Sequence, residues 1–406
     1  MQATAGTGPG GRRAFDGEVR FILQAAMALF VYTVVIGILN GTDLVDFERK
    51  PLLAHVHVGT LGWLTMAVFA GSLALFGEGD EDNRLIRYTA WAAPVVVLAY
   101  NVAFLTTTGM ARPILGTVTL AIILVFFAWA VMRARVVTLS VPHLGVLAGL
   151  ATSATGAVLG VLLGILLASP DSGISTTVQD AHPATMVVGF LVPVAMAFVE
   201  WVARPASVKE RATRLGQIQV ALPFAGGVIL VVALLAEIDP LAGIATLFEI
   251  VGLAILIVRL GPALVRVSLS SGTARFAAFA TPFFIVNIGL LTYLIANYIE
   301  DFEAAPTRLL LAMDHSIFVG VLTNLLVGWI VSMSGVRRPA WVDSAVFWGL
   351  NLGVAGFIVG LIADSSPIIR VATPVLGLAL LTAIVVHVRG LGDPRTTFAR
   401  PTPAVV

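Results

Sequence analysis

The chain has 406 residues, 58% hydrophobic and only 12% charged, with a net charge of +1 and no cysteine; its mean hydropathy is +0.98. A soluble domain carries about 25% charged residues, so this chain lacks the polar groups to cover its own apolar surface, and its solvent is the lipid bilayer. The balanced charge argues against a nucleic-acid partner, and the missing cysteines exclude disulfides, thiolate metal sites, iron–sulfur clusters and thioether-linked haem.

A membrane span needs about 20 predominantly apolar residues. Twelve runs meet that requirement, at 19–40, 52–77, 86–108, 113–132, 142–168, 182–203, 214–236, 240–264, 276–298, 309–333, 341–363 and 368–388. They predict an all-α integral membrane domain of twelve transmembrane helices over 19–388. The Gly-rich residues 1–18 and the Pro-rich residues 389–406 read as disordered tails. The first run is too long for a signal-peptide core and has no small-residue cleavage site, so it counts as a helix. With the N-terminus placed in the cytoplasm, nineteen of the basic residues fall on the cytoplasmic side and five, Arg49, Lys50, Arg112, Arg308 and Arg370, on the other. The positive-inside bias therefore predicts a multi-pass protein of the cell membrane with both termini cytoplasmic.

Six histidines are the only strong nitrogen ligands available to a metal. His55 and His57 lie near the start of the second helix, His182 opens the sixth and His315 lies in the first third of the tenth. Four of the six thus share one depth, on helices spaced four apart. His143 and His387 fall at the opposite face. A weak repeat accompanies this spacing: Gly62 follows His55, and Gly189 follows His182, at the same distance, while Gly62 follows His57 as Gly320 follows His315. Three four-helix units around an axis would bring helices 2, 6 and 10 into equivalent positions. A histidine near a helix end can also simply hydrogen-bond to a neighbouring helix. Residues two apart on a helix point nearly opposite ways, so one flat cofactor takes an axial bond from His55 or from His57, not both. His57 is the deeper, with Gly59 and Gly62 after it, and is the expected partner of His315 across a haem.

The stretches Leu53-Ala54-His55-Val56-His57-Val58-Gly59-Thr60-Leu61-Gly62-Trp63, Ala181-His182-Pro183 and Asp314-His315-Ser316-Ile317-Phe318-Val319-Gly320 resemble helices 2, 6 and 10 of the haem-copper oxidase subunit I superfamily. The last stretch also looks like the corresponding part of the NnrS family, haem- and copper-associated membrane proteins linked to nitric oxide stress. The resemblance implies twelve helices in three four-helix arcs, a low-spin haem b on His57 and His315, and propionates held by an arginine between helices 11 and 12, here Arg370, with Arg112 second. It implies copper at His182, with His55 as a possible helper. The chain departs from the pattern where oxygen chemistry is done. Met313 stands in place of the second histidine of helix 10, helix 7 (Gly216-Gln217-Ile218-Gln219-Val220) carries no histidine, and no tyrosine follows Pro183. The resemblance thus implies a haem protein for electron transfer or for handling a diatomic gas such as nitric oxide, served by a quinone or a separate redox protein, rather than a complete oxygen reductase. A cofactor-free secondary transporter, with Glu249 coupling protons, is the alternative. Glu249 otherwise reads as a neutral acid hydrogen-bonded to a neighbouring helix, Glu200 as a surface ion pair with Arg204, and Asn101, Asn287, Asn324 and Asn351 as amides joining helices.

Overall fold

The computed structural model describes residues 14–334, 336 and 338–392. Among them, twelve helices are long and apolar enough to cross a membrane: α1 (Asp16–Gly41), α2 (Arg49–Phe76), α3 (Arg84–Thr106), α4 (Ala111–Arg133), α5 (Val141–Ala168), α6 (Val178–Ala203), α7 (Arg214–Ala236), α8 (Asp239–Leu264), α9 (Ala274–Tyr298), α10 (Thr307–Ser334), α11 (Ala340–Ile362) and α12 (Ser366–Gly392). No strand occurs among the described residues. The all-α, twelve-helix class follows, as the hydropathy predicts. The expected tails at residues 1–13 and 393–406 lie outside the described residues, while α1 starts before residue 19 and α12 runs past 388.

Helix ends are set locally. Asn83 caps α3 by accepting from Ile86 N at 3.2 Å, and Thr213 caps α7 by accepting from Gly216 N at 3.2 Å. At the start of α5, Ser140 Oγ meets His143 Nδ1 at 2.7 Å, and His143 Nε2 reaches Leu75 O at 2.9 Å. With both ring nitrogens engaged, His143 is a capping residue that ties α5 to α2.

The helices differ in how much of them is hidden. The apolar windows of α2, α6 and α10 are buried over 83%, 83% and 78% of their residues, against 39–50% for the other spans. These three helices form the centre. Gly71 of α2 packs on Phe198 of α6, Trp201 of α6 lies 4.9 Å from Trp329 of α10, and Trp63 Nε1 of α2 donates to Thr323 Oγ1 of α10 at 2.9 Å. Around them the remaining helices close three rings: α2 to α6 through α3, α4 and α5; α6 to α10 through α7, α8 and α9; and α10 to α2 through α11, α12 and α1.

Each central helix widens into a π-helical segment at the same relative place, Val58–Thr65 in α2, Thr185–Leu191 in α6 and Ser316–Thr323 in α10. Such segments are rare and are frequent at functional sites. The fifth residue of each is glycine, and each glycine packs on the preceding helix: Gly62 on Leu29, Gly189 on Thr152 and Gly320 on Phe283. At Gly320 an added Cβ would lie 2.6 Å from the Phe283 ring, so only glycine lets α9 approach this closely. The three contacts align the rings residue by residue.

At the end of the bundle away from His55, His182 and His315, Glu200 makes the expected ion pair with Arg204 only at 4.0 Å, and it is buried rather than on the surface. It is only 3% exposed and receives both Arg259 nitrogens, at 2.8 and 3.0 Å, from α8. Arg204 is closer to Glu210, at 2.9 Å, and Gln219 of α7 completes the buried group by accepting from Arg259. Arg259 reaches across because α6, α7 and α8 converge there, which a reading confined to α6 cannot see. Removing one partner of a buried pair leaves the other charge uncompensated, at a cost of about 3–5 kcal/mol. Arg259→Met should therefore lower the thermal unfolding midpoint of the detergent-purified protein clearly, and Arg259→Met combined with Glu200→Gln should recover most of the loss. Differential scanning fluorimetry on the single and double variants checks this.

Candidate functional site

The four histidines of the central helices lie at one end of the bundle, each shortly before or at the start of its π-helical segment. Each directs Nδ1 at a backbone carbonyl: His55 at Thr33 O (2.9 Å), His57 at Leu53 O (2.8 Å), His182 at Gly156 O (2.9 Å) and His315 at Leu311 O (2.8 Å). A carbonyl only accepts, so Nδ1 carries the proton and Nε2 keeps its lone pair. Among the described residues no Nε2 of these four has a hydrogen-bond partner. A neutral imidazole fixed through Nδ1–H with a free Nε2 is the usual preparation of a metal ligand.

The structure distributes the four between two rings. His55 turns toward α1, where its Cε1 would lie 3.3 Å from a Cβ on Gly37. His315 packs its ring 4.8 Å from Phe357 of α11. His57 turns the other way, stacking on Phe104 of α3 at 3.8 Å with Tyr100 at 6.4 Å. His182 packs against α5, where a Cβ on Gly160 would meet its ring at 2.8 Å. His55 and His315 thus border the ring of α10, α11, α12, α1 and α2, and His57 and His182 border the ring of α2 to α6. His57 and His315, expected on one cofactor, lie on opposite sides of α2. His55 and His182, expected together at a copper site, also belong to different rings. The opposite facing of His55 and His57 follows from helical geometry, but which of them turns to α10 depends on how α2 is rotated in the bundle.

The two pairs are built alike. Counting back from the aligned glycines, His55 and His182 occupy one position and His57 and His315 the other. The first kind anchors on the preceding helix, the second on its own helix four residues back. On the preceding helices, Leu29, Thr33 and Gly37 of α1 match Thr152, Gly156 and Gly160 of α5 at four-residue steps. The third ring breaks the pattern. Met313 and Ala184 stand where the histidines would be, and Leu291 of α9 fills the place of Gly37 and Gly160. Asn287, at the place of Thr33, donates to Met313 O at 2.9 Å.

The arginines follow the same division. Arg112 opens α4, the middle helix of the His57–His182 ring. It is 9% exposed, donates to Phe104 O at 2.9 Å, lies 4.9 Å over the Phe104 ring and leaves Nε buried without a partner among the described residues. Arg370 lies in the first turns of α12, the middle helix of the His55–His315 ring; it is exposed and pairs with Asp43 at 2.7 Å. The middle helix of the third ring, α8, opens instead on Asp239 and Pro240. That ring holds Glu249, fully buried with neither carboxyl oxygen partnered among the described residues, so the expected hydrogen bond to a neighbouring helix is not made. Asn324 and Asn351 do join α10 to α11, at 2.5 Å, whereas Asn101 is buried with both amide atoms unpartnered among the described residues. His387 meets Ser334 Oγ at 2.8 Å.

Among the described residues no three histidine, aspartate or glutamate side chains gather as they would around a bare metal ion. A scan of protein-family models finds no family that matches the chain, and no curated protein matches it. Sequence reasoning missed the π-helical segments, the His57–His182 pair and the Glu200–Arg259 group.

The facing of these residues is directly testable because the chain has no cysteine of its own. In full-length protein, cysteine pairs at 55/315 and at 57/182 should be joined efficiently by a short bis-maleimide. A pair at 57/315 should be joined at least several-fold less. Mass spectrometry of the linked peptides reads the outcome.

Proposed function

We propose that the protein is a b-type haem-binding electron carrier of the membrane, with His55 and His315 as the two axial ligands of a haem. The observation that carries this reading is the pair of imidazoles bordering one ring of helices, each held by Nδ1–H on a carbonyl and each with Nε2 unpartnered among the described residues. The donor set fits iron porphyrin. Two neutral nitrogens from packed helices suit an iron that already has four porphyrin nitrogens, and they are too few for a bare ion, which wants three or four protein ligands. Arg370, in the first turns of this ring's middle helix, would meet an anionic propionate edge. When bound, the haem supplies one-electron chemistry. The chain's residues fix the imidazoles, exclude water and set the dielectric around the iron.

Two imidazoles leave no open coordination position, which favours electron transfer over binding of nitric oxide or another gas. The transporter alternative is less well supported. Inverted repeats and helices broken at mid-membrane are expected there, whereas α2, α6 and α10 run in the same direction and continue through their π-helical segments. The basic-residue bias supports a cell-membrane protein with cytoplasmic termini and the histidine end outward. A quinone or a separate redox protein would then exchange electrons with it. The three-ring architecture and the helix 2, 6 and 10 motifs support kinship with the haem-copper oxidase subunit I superfamily.

The test is the visible spectrum of the detergent-purified protein, oxidised and dithionite-reduced. Sharp reduced α and β bands are expected, unchanged by carbon monoxide. His315→Ala and His55→Ala should each remove the contribution of this haem. A colourless protein from haem-replete cells would sink the reading.

A further inference from the structure

The His57–His182 pair repeats the His55–His315 pair in every respect on which the first reading rests, and nothing in that reading uses it. It has the same two register positions, the same division between an own-helix and a neighbouring-helix carbonyl, and a glycine on the preceding helix against one imidazole. It adds a buried cation whose Nε has no partner among the described residues, Arg112. A buried guanidinium nitrogen without a partner is costly. An anionic, iron-containing ligand would pair with it and would take the two half-buried imidazole nitrogens, which have no partner among the described residues.

We infer that the ring of α2 to α6 is a second cofactor site, in which His57 and His182 ligate a second iron porphyrin and Arg112 holds its anionic edge. The chemistry of the ring selects this class of ligand. Two nitrogen donors without a third histidine or a carboxylate are insufficient for copper or zinc. The aromatic side chains of Tyr100 and Phe104 beside His57 suit a flat apolar ring. The third ring, with Met313, Ala184 and Leu291 at the equivalent positions and Asp239 opening α8, takes none. The chain would carry two haems on opposite sides of α2, with His55 and His57, one residue apart, as ligands of different irons. This arrangement rests on the proposed haem chemistry of the first pair but is tested apart from it.

The experiment is haem stoichiometry on full-length protein from haem-replete cells, by pyridine haemochrome against amino-acid analysis, with copper measured on the same samples. Two haems per chain are expected in the wild type. One is expected in His57→Ala, His182→Ala, His55→Ala and His315→Ala taken singly, and none in His55→Ala combined with His182→Ala. The haem that remains in each single variant serves as the control for folding. Arg112→Gln should keep both haems and lower the reduction potential of one, since loss of a nearby cation favours the more positive ferric state; the other potential should not move. One haem in the wild type, lost with His55 or His315 and indifferent to His57 and His182, would overturn the second site and leave the first. One haem with the reverse dependence would overturn the first and leave the second. Stoichiometric copper that depends on His182 would overturn the second site, and a chain without haem would overturn both.

Discussion

The constraint on which this structure turns is the fixing of an imidazole inside an apolar bundle. A neutral histidine has one donor and one acceptor nitrogen. In α2, α6 and α10 the donor is spent on a backbone carbonyl at 2.8–2.9 Å, which locks the ring and leaves the acceptor nitrogen without a partner among the described residues. The four rings are half-buried, so this acceptor is open to whatever enters from the histidine end. His143 shows what a purely structural histidine looks like in the same protein: both of its nitrogens are bonded, to Ser140 and to Leu75.

The rest of the fold serves that placement. Three central helices with widened segments at one depth, glycines at one register and ring-closing helices outside them give three equivalent compartments. Small residues on the outer helices decide what each compartment admits. Gly37 and Gly160 sit where an imidazole packs, while Leu291 stands at the same position of α9, where the ring has Met313 instead of a histidine. One residue per ring therefore covaries with the presence of a histidine, within a single chain. This is the pattern expected if the histidine positions answer to a common ligand rather than to local packing.

Much of this was legible in the sequence. The twelve spans follow from hydropathy, because lipid demands long apolar helices. The shared depth of four histidines follows from their distance to the helix starts, and the threefold relation shows in the Gly62, Gly189 and Gly320 spacing. The pairing of histidines was not legible. Helical geometry separates His55 from His57, but the rotation of α2 about its axis is fixed by contacts far along the chain, such as Thr33 on His55 and Phe104 on His57. The same holds for Glu200. Its neighbour four residues on, Arg204, stays 4.0 Å away, while the guanidinium that bonds it closely comes from Arg259, and only the convergence of α6, α7 and α8 brings that group there.

The third ring, with Met313 and Ala184 at the histidine positions, is closely packed. Gly227 of α7 lies directly on the Gly189 backbone of α6, and Gly252 of α8 lies on Pro223 of α7, so that a Cβ at either glycine would come within 2.5 Å of its neighbour. The Glu200–Arg259–Gln219 group clamps the same three helices at the far end. Close backbone packing of this kind needs small residues, and it recurs in the other rings where Gly149 of α5 meets Val194 of α6 and Gly377 of α12 meets Ile38 of α1. Its rigidity is shared, because α6 also borders the His57–His182 ring and α10 the His55–His315 ring. Close joints in all three rings thus hold the central helices that carry the histidines.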